Sequence, residues 1–309
     1  MGNKFLLFKY NYIKEVSCIN IGDYIQTLAT RSVLNLLYPS SKFKYFDRDS
    51  LELYNRDAVI CIMQGWFSHT LSFMPSTKVL PVFVGTHFTH AVQQYLKASN
   101  LCSDYFSKVE IGCRDLMTLN FCKQQKISSY FSRCLTLTLP RRNVIKHHKV
   151  FLVDVPSEIL PFLPNEIRNN AEIIKHCLNK GRFYKIKYKS YLKYAELLLK
   201  KYREEGELII TSRLHCALPV IAMGIKIILV VNTNEQKTRF STVNVILRTY
   251  TIDDFKEGRV RYDVPLPNIE ELKGYIIENL ALSINKQKGD YINEGRIRMI
   301  RQNIHRFSS

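Results

Sequence analysis

Arg213 and His215 stand two residues apart in Thr211-Ser212-Arg213-Leu214-His215-Cys216-Ala217-Leu218-Pro219-Val220-Ile221. Arginine offers a planar fork for carboxylate or phosphate, and histidine moves a proton near neutral pH. Apolar runs flank them: Leu208–Ile210 leads in, and Ile225–Val231 follows Gly224. The pattern predicts strand, turn, helix, strand, a parallel βαβ unit with its polar side chains at the carboxyl end of the first strand. Ligands of open α/β sheets collect in the crevice at such strand ends. Ser212 is expected to cap the helix, Pro219 to lie near its first turn and Gly224 to end it. The positive end of a helix beside Arg213 attracts an anion. A surface turn with a solvated arginine and an interior histidine is the competing reading of so short a motif.

Four more groups fall at strand ends or helix starts. Gly22 in Asn20-Ile21-Gly22-Asp23 permits a sharp turn before a long helix, and Asp23 either caps that helix or binds a hydroxyl. Gln64-Gly65-Trp66-Phe67 follows a predicted strand over 58–63 and holds the only tryptophan, which either stacks on a sugar face or packs at an interface. Gly112-Cys113-Arg114-Asp115 puts a second arginine at a strand-to-helix junction, where Arg114 binds an anion or pairs with Asp115. His87, in Gly85-Thr86-His87, is either a second proton carrier or a satisfied polar strand end. No Cys, His or carboxylate spacing suggests a metal site.

The elements that must position these residues alternate along the chain. Strands are expected at Lys4–Phe8, Lys42–Phe46, Ala58–Met63, Val79–Val84, Val109–Cys113 and Ser129–Phe131. A helix over Tyr24–Leu37 carries Ile25, Leu28, Ala29, Val33 and Leu36 on one face. This alternation predicts a mostly parallel, doubly wound sheet in residues 1–140. Pro140–Lys149 is basic and polar and is expected to be a linker. A second α/β domain over 150–266 opens with Val150–Val153 and includes a helix over Tyr191–Arg203. Residues 267–309 form a helical C-terminal segment, expected to pack back across the domains.

Composition narrows the partners. At 309 residues and 46% hydrophobic, the chain has room for two cored domains. No apolar run is long enough to span a bilayer and Phe5–Phe8 is too short for a signal peptide, so a cytoplasmic location is expected. The eight cysteines contain no C-x-x-C and suggest a reduced interior more than a disulfide framework. The formal charge of +18 admits nucleic acid, an anionic membrane face or an anionic substrate. Its basic residues are dispersed and no RNA-binding or zinc-finger signature accompanies them, so no specific nucleic-acid partner is expected.

Taken together, Asn20–Gln26, Ile111–Asp115, Cys134–Leu139 and Ser212–Ala217 with Gly224 resemble the polysaccharide pyruvyl transferase family in order and spacing. The resemblance implies two Rossmann-like doubly wound domains facing a cleft, similar to the B-type glycosyltransferase fold. It implies phosphoenolpyruvate as co-substrate with no further cofactor. A sugar diol of a glycan or glycan precursor, conceivably lipid-linked, is the implied acceptor, and the products are a pyruvyl ketal and phosphate. By the same resemblance Arg213, Leu214 and Arg114 bind the donor and His215 is catalytic. Asn20, Gly22, Asp23, Trp66 and His87 are acceptor or loop candidates. The chain departs from the family pattern at Gly65-Trp66, where a glycine pair is common, and at Arg133-Cys134, where a small residue or aspartate is expected. The alternatives are a nucleotide-sugar glycosyltransferase of the same fold, which needs a carboxylate for the donor ribose (Glu205 and Glu207 lie nearest), and a catalytically silent anion-binding scaffold. Peripheral contact with anionic membrane is a further expectation, and the oligomeric state is left open.

Overall fold

The computed structural model describes residues 4–10, 18–68, 70, 72–179 and 187–307. In chain order its strands are β1 Lys4–Lys9, β2 Cys18–Asn20, β3 Lys42–Asp47, β4 Val59–Ile62, β5 Gly65–Phe67, β6 Val79–Val82, β7 Thr86–Phe88 and β8 Ile111–Cys113. There follow β9 Ser129–Phe131, β10 Lys149–Val153, β11 Glu172–Ile174, β12 Cys177–Asn179, β13 Gly206–Thr211, β14 Lys226–Val230 and β15 Thr249–Tyr250. The longer helices are α1 Ile21–Leu37, α2 His90–Ala98, α3 Leu116–Gln124, α4 Tyr188–Glu205, α5 Leu214–Ala222, α6 Glu270–Lys288 and α7 Glu294–Arg306. The protein is thus mixed α/β with several parallel sheets.

The chain divides into two compact units. One takes the described residues of 1–11, 29–135 and 270–307, and the other those of 12–28 and 136–269. The first unit holds parallel sheets ordered β3-β1-β4-β6 and β5-β7-β8-β9. A backbone bond from Gly112 N in β8 to Phe83 O, just after β6, bridges them (2.9 Å). The side chains of Phe5–Phe8 and Val59–Ile62 are all buried, as strands covered on both faces require.

The α1 helix starts three residues earlier than its apolar pattern predicts, at Ile21. Leu36 is 65% exposed and Leu34 takes the buried position instead, because the last turn runs out to solvent. The C-terminal helices belong to the first unit. Asn279 donates to Tyr130 Oη (3.2 Å), and Arg301 pairs with Glu110 (2.7 Å) while lying over the Tyr130 ring. Arg133 has a role there. Its buried guanidinium donates to the carbonyls of Ile304 (3.0 Å) and Phe307 (3.3 Å) at the end of α7. These carbonyls carry the negative end of the helix dipole. Burial lowers the Arg133 pKa to about 10, still high enough to keep the charge at neutral pH.

The second unit holds a parallel sheet ordered β11-β10-β13-β14-β15 and an antiparallel pair, β2 with β12. Leu152, Ile159, Leu208, Ile210, Ile228, Val230 and Phe255 form its core. The expected linker is packed onto this unit: Arg142 N donates to Met223 O (3.1 Å), Lys146 N donates to Glu204 O (2.7 Å), and the Arg142 side chain bonds Gly206 O. Its backbone amides meet the carbonyls of helix ends and the Arg142 guanidinium that of a strand start, which polarity alone does not reveal.

The expectation of cysteines without disulfides is corrected at one pair: Cys18 and Cys177 are bonded across β2 and β12. The two lie 159 positions apart, so no local spacing announces them. Cys61, Cys113, Cys122, Cys134 and Cys216 are free and buried.

Replacing Arg133 with Met keeps the aliphatic stem and removes the charged hydrogen bonds to α7, each worth about 1.5–3 kcal/mol. The expected outcome is faster amide hydrogen exchange across Glu294–Arg306, with exchange in β10, β13 and β14 unchanged.

Candidate functional site

In the second unit's sheet the chain runs outward from β10 in both directions, to β11 on one side and through β13, β14 and β15 on the other. The connections therefore diverge between β10 and β13, and a crevice opens at their carboxyl ends. Two residues stand there: Asp154, directly after β10, and Arg213, two residues after β13. The Arg213 Nε donates to Asp154 Oδ2 at 2.9 Å. The Arg213 side chain is 44% exposed and that of Asp154 only 6%.

The local chemistry of the Arg213 turn differs from expectation. Ser212 does not cap α5; its hydroxyl donates to Asp154 O instead. Arg213 occupies the cap position in an extended conformation (φ −104°, ψ 122°), and its N–H is taken by Thr211 Oγ1 at 3.0 Å. Pro219 is the sixth residue of α5 rather than part of its first turn. Its missing N–H falls opposite the carbonyl of His215. Gly224 ends the helix as predicted. At φ +68° it donates to Ile221 O (3.0 Å) while Ile225 N donates to Val220 O (3.1 Å), a Schellman closure. Leu214 and His215 open α5 and are 6% and 9% exposed.

The Asn20–Asp23 turn meets this helix start within the same unit. Asn20 Oδ1 accepts from Gly22 N (3.1 Å), so Asn20 serves the cap role considered for Asp23. Asp23 lies buried in the first turn of α1 and accepts from Asn20 Nδ2 (3.2 Å) and Gln26 Nε2 (3.4 Å). A β-carbon on Gly22 would lie 2.9 Å from His215 Cβ and 3.0 Å from Asn20 Oδ1. Glycine is therefore required for close approach rather than for an unusual φ. The N-terminus of α1 is pressed against the His215 side chain.

Three residues outside the predicted set complete the arrangement. His176 donates its N–H to Asp154 Oδ2 (3.1 Å), its carbonyl accepts from Ile21 N (2.9 Å), and its Nε2 bonds Tyr202 Oη (2.8 Å). Burial pushes the His176 pKa down to about 4, with the Asp154 charge opposing and the Arg213 charge assisting. Asp154 was detectable in principle, as the first polar residue after the apolar run 150–153. His176 and Tyr202 had no pattern to mark them.

The remaining predicted residues lie in the first unit. Arg114 is 1% exposed, and its Nε lies 3.3 Å from Asp115 Oδ2. His87 Nδ1 approaches the same oxygen at 2.7 Å. Asp115 Oδ1 caps α3, accepting from Thr118 N (3.0 Å) and Thr118 Oγ1 (2.9 Å). Burial raises the Asp115 pKa, but His87, Arg114 and the Thr118 amide together hold it at about 2. Trp66 has the Arg48 guanidinium over its ring at 4.1 Å, and Arg48 in turn pairs with Asp49 (2.9 Å). Among the described residues no group of three His, Cys, Asp or Glu side chains is placed to hold a metal ion, and no helix is long and apolar enough to cross a membrane.

A family model for polysaccharide pyruvyl transferases matches residues 20–234, more than half of the chain. Comparison with curated proteins and with solved structures gives no match. The match begins at Asn20 and spans β13 and α5, so both turns that meet at Gly22 and His215 lie inside it. The chain belongs to the polysaccharide pyruvyl transferase family.

Two predictions follow from this geometry. Gly22→Ala should displace the imidazole of His215, read as a shift of its ring resonances, while leaving the far-ultraviolet circular dichroism spectrum unchanged; unmoved ring resonances would show that the contact relaxes freely. The second concerns pH. The folded-state pKa of His176, about 4, lies below its ordinary 6.5, so the unfolded chain binds more protons between those values. Stability is fully present above about pH 6.5 and falls as pH drops towards about 4. His176→Phe should flatten that part of the urea-midpoint profile.

Proposed function

We propose that this polysaccharide pyruvyl transferase family member moves the pyruvyl group of phosphoenolpyruvate onto two hydroxyls of a sugar, releasing phosphate. The observation that carries this reading is the aimed arginine at the divergence of the second sheet. Arg213 commits Nε to Asp154, and its Nη groups make no hydrogen bond to the described residues. An arginine held in this way offers two parallel N–H donors, the pattern that binds carboxylate or phosphate. The adjacent positive end of α5 adds to the attraction. Phosphoenolpyruvate carries both anionic groups.

Arg213, Leu214 and Arg114 are assigned to the donor and His215 to proton transfer. The reaction requires a proton at the methylene carbon C3, which leaves C2 electron-poor. One sugar hydroxyl adds to C2 and gives up its proton. The second hydroxyl then displaces phosphate and closes the ketal, so no redox change occurs. Histidine can deliver the first proton and collect one from an attacking hydroxyl, a contribution typically worth about 10²–10⁴-fold. Asn20 and Asp23 stand beside His215 through the Gly22 approach and are assigned to the acceptor side of that histidine. Trp66 and His87 are kept as acceptor candidates of the first unit.

In this reading the chain has two Rossmann-like α/β domains of the kind found in B-type glycosyltransferases, one for the donor and one for the acceptor. The nucleotide-sugar alternative has less support. Glu205 pairs with Lys149 (2.8 Å) and Glu207 with His148 (3.2 Å), at the amino end of β13 rather than its carboxyl end. The charge of +18 suits an anionic acceptor, such as a sugar on a lipid pyrophosphate at a membrane surface.

Binding and turnover separate the roles. Arg213→Ala should weaken phosphoenolpyruvate binding by about 1.5–3 kcal/mol, the worth of a charge-assisted hydrogen bond. His215→Ala should bind it nearly as the wild type does and lose turnover instead. Calorimetry, with phosphate release from a panel of lipid-linked and nucleotide-linked sugars, measures both. Loss of affinity without loss of turnover in His215→Ala would make the histidine a binding residue.

A further inference from the structure

We propose that Asp154 is the positioning residue that orients Arg213 for its anionic ligand; the identity of that ligand as phosphoenolpyruvate rests on the function proposed above. Asp154 sits directly after β10 at φ +45°, the left-handed region that Asp and Asn enter more readily than most residues. That backbone turn is held at three points. Its carbonyl accepts the Ser212 hydroxyl, its Oδ2 accepts the His176 amide at 3.1 Å, and Asp154 N donates to Ile174 O at 3.1 Å. Asp154 is thus fixed by β11, by His176 in the link after it and by the Arg213 turn before its carboxylate touches the guanidinium. It then takes Nε, at 2.9 Å.

The choice of Nε matters. A carboxylate across both Nη atoms would occupy the end of the fork, whereas one at Nε leaves the Nη1–Nη2 edge open and sets its direction. A half-exposed arginine with no anchor spreads over many rotamers, and ordering it would oppose ligand binding. Asp154 supplies that order in advance. Among the described residues Lys175 Nζ, 4.0 Å from Oδ1, is the other cation facing the carboxylate and offsets part of its charge. The anionic ligand therefore meets Arg213 in a field to which Asp154 contributes direction more than repulsion.

The test uses the full-length protein and Asp154→Asn, which keeps the side-chain shape and an acceptor for the His176 amide. Unchanged circular dichroism and thermal midpoint establish that the variant folds; Asp154→Ser serves if it does not. Two readouts are taken. In protein labelled with ¹⁵N-arginine, the Arg213 Nε–Hε resonance, assigned by its loss in Arg213→Lys, should move upfield and exchange faster with water in Asp154→Asn. Phosphoenolpyruvate affinity should fall about tenfold in Asp154→Asn and show no further fall when Asp154→Asn is added to Arg213→Ala. An unmoved Hε resonance, or an equal loss of affinity in the Arg213→Ala background, overturns the proposal. A wild-type protein that takes no phosphoenolpyruvate overturns the donor assignment, while the Hε comparison still decides the positioning role.

Discussion

The site of the second unit depends on where its parallel sheet divides. A parallel strand must be followed by a connection that crosses a face of the sheet, and two neighbouring strands with connections leaving in opposite directions cannot close the space above their ends. In this chain those neighbours are β10 and β13. Thr211 pairs with Val153 at the last rung of the ladder, so Asp154 and Ser212 leave it side by side. The Asp154–Arg213 bond, the Ser212 hydroxyl bond and the start of α5 all follow from that register. A shift of one residue would turn Thr211 to the other face and cost the bond from its hydroxyl to Val153 O.

A second constraint comes from the chain's beginning. The β2–β12 ladder, the Cys18–Cys177 bond and the hydrogen bond from Ile21 N to His176 O fix the entry to α1 within three residues of one another. Helix α1 must then start where His215 already stands, and only a residue without a β-carbon fits at position 22. Asn20 caps the helix from the near side and leaves the first turn intact. The Asn20–Asp23 turn and the start of α5, far apart in sequence, are thus two sides of one packing contact.

Much of this was legible in the residues. The apolar runs locate β1, β3, β4, β6, β9, β10 and β14 to within a few residues, most sharply in β4 and β14, where buried parallel strands are apolar on both faces. The Arg213–Gly224 turn and helix were readable from the Arg-x-His pair and the glycine that ends α5. The short strands β2, β5, β7, β11 and β12 were not. None of them stands in an apolar run that sets it off from its surroundings, and β2 finds its partner only across more than 150 positions. Ser212 misled because a serine before a helix ordinarily caps it; here Asp154 O competes for its hydroxyl. Arg133 read as an oddity of the site, yet its carbonyl partners at Ile304 and Phe307 lie some 170 residues away, where no local pattern reaches.

Arg114 and Arg213 show how similar local sequence yields different chemistry. Both follow a strand and precede a helix, and both have an aspartate on Nε. Asp115 follows Arg114 directly and must also cap α3 and receive His87, so the arginine is drawn in with it to 1% exposure. Taking a guanidinium out of water is tolerable there because the aspartate beside it is held ionised. Asp154 comes from a neighbouring strand, 59 positions away, and is anchored by backbone groups of its own. It can therefore hold Arg213 by one nitrogen without burying it. A carboxylate supplied by the adjacent residue draws its arginine into the core with it; one supplied across the divergence of the sheet leaves its arginine half in solvent, anchored at one nitrogen.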